Sequence, residues 1–145
     1  MQSLSTSWQF WAVLSAIFAA LTAILAKVGV GGIDSDLATF IRTLVVAGAL
    51  AMLLAATGKF TAPGALPARA LLFLALSGLV TGASWLCYFR ALSLGEAAQV
   101  APVDKLSVVL VAIFGAVFLG EQLPARGWLG VGLIAAGATL LALRA

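Results

Sequence analysis

The chain has 145 residues, of which 63% are hydrophobic and 9% charged, with a formal net charge of +3, one cysteine and no histidine. Soluble domains carry roughly 25% charged residues, so a soluble domain is excluded, and charges this sparse argue against nucleic acid or acidic polymers as partners. The lone Cys87 excludes an internal disulfide, and no metal-ligand cluster or paired nucleophile and base suggests a cofactor or an intramembrane enzyme.

Apolar stretches near residues 8–28, 37–57, 70–89, 97–120 and 127–143 follow one another with short connectors. A hydrocarbon core about 30 Å thick needs about 20 helical residues to cross it. Backbone groups in lipid must be satisfied within the segment, and without the alternating pattern of a barrel strand these stretches are predicted as helices. The expected fold is an all-α membrane protein with five transmembrane helices in one domain over 1–145. Residues 1–7 carry no Lys or Arg, so the first stretch is expected to be a retained span and not a cleaved signal peptide.

The first connector, Gly29-Val30-Gly31-Gly32-Ile33-Asp34-Ser35-Asp36, breaks the chain, and Asp34 or Ser35 is placed to cap the second helix. The longest loop, 57–67, holds Pro63 and Pro67. Gly95-Glu96 separates the third and fourth spans, and residues 120–124 close the fourth. Trp8, Trp11 and Trp128 fall at one membrane interface and Trp85 and Tyr88 near the other, where amphipathic rings are favoured.

Five spans put the termini on opposite sides. The N-terminal side collects Lys59, Arg69 and Arg126, and the other Lys27, Arg90 and Arg144. Loop charge chooses an orientation only when it is unbalanced. The balance fits dual topology with antiparallel pairing, or one orientation set by folding or a partner. Small residues recur where helices can approach closely: Ser15, Ala19, Thr22 and Ala26 in the first span, Ala47, Ala51 and Ala55 in the second, and Gly78, Thr81 and Gly82 in the third. The Gly78–Gly82 pair reads as an oligomer seam or as ordinary packing within the chain.

Arg42, Asp104 and Lys105 lie within spans. Intramembrane charges cost about 2.5–3.5 kcal/mol each on insertion scales and normally face a protein interior or a wet cavity. Two accounts stand side by side. In one, these charges hold a substrate carboxylate or phosphate beside the aromatic wall of Trp85 and Tyr88. In the other, Asp104 pairs with Arg42 or Lys27, Lys105 snorkels to the interface, and Trp85 is an interface anchor. Pro102 withholds a backbone donor just ahead of Asp104, which frees a carbonyl for a ligand or marks the first turn of the fourth helix.

The run KVGVGGIDSDLATFIRT at 27–43, the run ALSLGEAAQVAPVDKLS at 91–107, and Leu119-Gly120-Glu121 followed by Gly127, Gly130 and Gly137 together resemble an EamA-type domain of the drug/metabolite transporter superfamily. Typical members have ten helices in two inverted five-helix repeats. This chain resembles one repeat standing alone, as in the small five-helix bacterial and archaeal group. The resemblance implies a secondary transporter of small metabolites, an exporter working as a homodimer in the cell (inner) membrane, with no cofactor. Its substrate-binding candidates are Arg42, Trp85, Tyr88, Asp104, Lys105 and Ser107. Four-helix multidrug relatives use a buried glutamate in their first helix, whereas the first span here has no acid. The rival expectation is a non-transporting subunit of a larger complex or of a lipid-linked flippase.

Overall fold

The computed structural model describes residues 7–60 and 66–143; Arg144 and the loop residues 61–65, including Pro63, lie outside them. The described chain is helical throughout its regular structure: α1 (Trp8–Gly29), α2 (Ser35–Ala56), α3 (Ala68–Leu94), α4 (Ala97–Asp104), α5 (Ser107–Phe118) and α6 (Ala125–Ala142). Five segments are long and apolar enough to cross a membrane, with Ala97–Phe118 counting as one.

The helix ends follow local chemistry. Asp34, in extended backbone ahead of α2, accepts hydrogen bonds from the Asp36 and Leu37 amides at 2.9 and 3.1 Å. Of the two residues placed to cap α2, the structure uses Asp34, which satisfies two of the donors a helix start leaves open. At the far end of α5, Gly120 adopts a left-handed φ of 68° and the Glu121 amide turns back to the Gly115 carbonyl at 3.0 Å. A side chain at Gly120 would be strained in that conformation. The Glu121 carboxylate folds over Gly115, where an added Cβ would lie 2.7 Å from its oxygen.

Hydroxyls within the spans bond back to their own helices. Thr39, Thr43, Thr81 and Thr139 each donate to the carbonyl four residues earlier, at 2.8–2.9 Å. Lipid provides no other acceptor, so this local bond removes a penalty that water would otherwise relieve.

Two spans differ from their sequence reading. α3 has 27 residues and runs to Leu94, because nothing breaks the helix before Gly95. At 1.5 Å per residue it is about 40 Å long. The fourth span is interrupted. α4 ends at Asp104, and a tightened turn follows in which the amides of Leu106, Val108 and Val109 bond to carbonyls three residues back at 3.0 Å. Pro102 lies inside α4, beyond its first turn, where its ring removes one i→i−4 bond.

The described residues form two compact units. One is Ala26–Ser93, holding the end of α1 with α2 and α3. Its buried side chains, Ala26, Val30, Ser35, Ala38, Thr39, Phe89 and Leu92, come from the end of α1 and the residue after it, the start of α2 and the end of α3. The most apolar eighteen-residue stretch of α3 has no buried residue. The other unit combines the chain before Ala26 with the chain from Leu94 onward, and in it α6 packs against both α4 and α5.

Replacing Asp34 with alanine should lower stability by about 0.5–2 kcal/mol, the usual range for losing such a cap, while Asp34→Asn should retain most of it. Thermal unfolding of the purified variants in one detergent checks the difference.

Candidate functional site

In the Ala26–Ser93 unit, Arg42 lies about 10 Å into α2 at 1.5 Å per residue, one turn beyond the buried Ala38 and Thr39. Its guanidinium carbon sits 4.2 Å from the centroid of the Trp85 ring and 5.5 Å from that of Phe89. Both distances fall within the ~6 Å over which a ring attracts a cation, and such contacts contribute roughly 0.5–1 kcal/mol when exposed and about 2 when desolvated. Trp85 and Phe89 are four residues apart on α3, so helical spacing puts them on one face. Phe89 is only 3% exposed, and Tyr88 meets it edge-on with centroids 6.4 Å apart. Arg42 and Trp85, two of the residues singled out from the sequence, are thus brought together between α2 and α3, and Tyr88, a third, adjoins them through Phe89.

Phe89 completes the group and was missed, because a phenylalanine in an apolar span looks like any lipid-facing residue. The available signal was its spacing from Trp85. One turn further along α3, Lys27 donates from Nζ to the Leu92 carbonyl at 2.7 Å. Leu92 is fully buried, and its carbonyl is among the last four of α3, which lack intrahelical partners. Lys27 places a cation at the negative end of that helix.

Asp104, Lys105 and Ser107 lie together in the other unit, at the interruption between α4 and α5. Sequence reading offered Asp104 a choice of Arg42 or Lys27; its carboxylate is engaged by Lys105, with Nζ to Oδ2 at 3.0 Å. Neighbours in sequence do not face each other along a regular helix, and this contact arises where α4 gives way to the turn. The side chains are 58% (Lys105) and 34% (Asp104) exposed, and an ion pair this open adds little to stability. Among the described residues, no three His, Cys, Asp or Glu side chains gather to hold a metal ion.

A shallow groove of about 520 Å³ runs along α3, lined by Phe73, Leu76, Ser77, Val80, Thr81 and Ser84. On the same helix, a Cβ added at Gly78 or Gly82 would meet nothing within 4 Å. The small-residue pair is therefore not used for packing within the Ala26–Ser93 unit.

These features define a multi-pass helical membrane protein with charged and aromatic side chains set within its spans. Residues 6–143 match the EamA-like transporter family, and the chain belongs to that family. It is 66% identical over 139 residues to a Sinorhizobium protein described as an uncharacterized transporter in the cobO 3′ region, the aligned part covering 96% of this chain and 99% of that protein. No solved structure gives a significant match. The family assignment points to a transporter and away from an enzyme.

Arg42 and Trp85 should be energetically coupled. In a thermal-unfolding cycle of Arg42→Gln, Trp85→Leu and the double variant, a coupling of about 0.5–2 kcal/mol is expected for a cation held over a ring. Strict additivity would show that the contact contributes nothing.

Proposed function

We propose that this protein is a secondary transporter of small metabolites in the cell (inner) membrane, acting as an exporter and as a homodimer whose two copies insert antiparallel. The observation that carries the reading is a transporter-family match extending over all five spans. Export follows the family resemblance. Many transporters of this kind place substrate between structural repeats of inverted topology that rock against each other. Five spans and one family match supply one such half, and a second copy supplies the other.

Two observations support the paired arrangement. The open Gly78–Gly82 face of α3 has the small-residue character that lets membrane helices approach closely. The cationic loop residues are divided evenly between the two sides, which leaves both orientations accessible.

Within this reading, the substrate-binding candidates are Arg42, Trp85 and Tyr88 in one unit and, considered separately, Asp104, Lys105 and Ser107 in the other. Aromatic walls with a few placed charges are the usual composition of a small-molecule site. The interruption of the fourth span adds irregular backbone beside Asp104 and Lys105, and transporter sites commonly exploit such broken helices.

Protein purified alone and reconstituted into vesicles should take up an anionic or zwitterionic metabolite, and Lys105→Gln and Trp85→Ala should each lower the rate at matched protein levels. Wild-type rates in both variants would remove these residues from the pathway. Activity that appears only with a second protein would support the subunit reading instead. Topology should also be easily tipped: a few lysines added to the 59–69 loop should hold that side in the cytoplasm. Cysteine labelling from each side, after replacement of the exposed Cys87, reads the outcome. One unchanging orientation before and after the change would refute dual topology.

A further inference from the structure

Arg42 has its charge partly compensated but its hydrogen bonds unmade. The guanidinium is planar, with five N–H donors pointing outward in its plane and no acceptor of its own. Trp85 at 4.2 Å and Phe89 at 5.5 Å satisfy the charge through their ring faces, which offer no lone pair to an N–H at the edge. Among the described residues, no carboxylate, carbonyl or hydroxyl accepts a hydrogen bond from Arg42. Within the Ala26–Ser93 unit, the Asp34 carboxylate is engaged elsewhere, accepting from the amides at the start of α2.

A charged donor set left open inside a span is costly, since polar groups removed from water are normally paired. It is also reachable. Among the described residues, every fully buried side-chain nitrogen or oxygen has a partner, so the unpaired Arg42 nitrogens are accessible to an incoming group. An arginine held over aromatic rings with its N–H donors unused is suited to a planar or tetrahedral oxyanion, which a guanidinium takes through two parallel N–H···O bonds. Lysine in the same place would offer a point charge without that fork.

We infer that Arg42 is the oxyanion receptor of this protein: its guanidinium donors bind the carboxylate or phosphate group of a soluble metabolite, while the Trp85 and Phe89 rings hold the ion in place. The inference rests on the transporter reading for its biological use, but the binding itself is measurable without transport. It selects anions over cations, since a cationic ligand would meet Arg42 with like charge. Phe89 acts as a positioning residue through Arg42.

The test uses full-length protein in which Trp8, Trp11 and Trp128 are replaced by phenylalanine, leaving Trp85 as the reporter. In phosphatidylcholine vesicles at constant ionic strength, inorganic phosphate or acetate is titrated against chloride while Trp85 emission is followed. A saturable change is expected. Arg42→Gln should weaken the apparent affinity about tenfold or more, as expected when a charge-assisted bond is lost. Arg42→Lys, which keeps the charge and guards against a folding failure of the glutamine variant, should weaken it by a smaller factor. Arg126→Gln, in the first turn of α6, should leave it unchanged. Phe89→Leu should weaken oxyanion affinity, and should do so no further in the Arg42→Gln background.

The absence of a saturable response, or an equal response in Arg42→Gln, would overturn the assignment. So would a response given by phosphatidylglycerol in the vesicles that soluble phosphate does not displace, because the ligand would then be a lipid headgroup. Oxyanion binding without uptake of any metabolite would uphold this site and defeat the transporter reading. Uptake without an oxyanion response would do the reverse.

Discussion

A bilayer gives hydrogen-bonding groups almost nothing to bond to, and that scarcity organises this chain from its backbone to its charges. It makes every spanning segment a helix, because only then does each amide find its partner within the segment. It sends the Thr39, Thr43, Thr81 and Thr139 hydroxyls back to carbonyls of their own helices. It also explains the ends. Asp34 closes the start of α2 and Lys27 reaches the Leu92 carbonyl near the end of α3, each supplying a bond the helix cannot make for itself.

Against that background, Arg42 meets the constraint by another route. Its charge is met by ring quadrupoles, a form of compensation that leaves the donors unused. The Asp104–Lys105 pair resolves the same problem differently, by mutual contact between adjacent side chains that remain open to their surroundings. One cluster is preorganised and half-buried, and the other is exposed at an interrupted helix. A ligand would gain more from the first, since less ordering is needed on binding and its hydrogen bonds are not already taken.

Packing in the Ala26–Ser93 unit is uneven. Buried residues gather where the end of α1, the start of α2 and the end of α3 meet, and these hold Arg42 and its aromatic neighbours. The middle of α3 is bare of packing, with its glycines facing open space. Lipid can cover such a surface without a hydrophobic penalty, so exposure alone does not demand a partner. Close approach of a second helix becomes favourable through dispersion and the small size of Gly78 and Gly82.

Much of the fold was legible in the sequence, because the requirement for about 20 apolar residues per crossing is one-dimensional. Apolar runs and glycine-rich breaks settled the five spans and narrowed the α2 cap to Asp34 or Ser35, and family motifs added the class of protein. Which charge meets which partner was not legible. In a soluble protein, an apolar stripe marks the face that packs; here nearly every face is apolar, so no periodicity says that Phe89 turns inward while Leu79 turns out. The chain's own residues named Arg42, Trp85 and Tyr88 as candidates. The Asp104–Lys105 contact and the interruption of the fourth span are local events that a continuous apolar run concealed, whereas only the tertiary structure put Arg42 over the Trp85 and Phe89 rings, because that choice depends on distances between helices that local sequence does not encode.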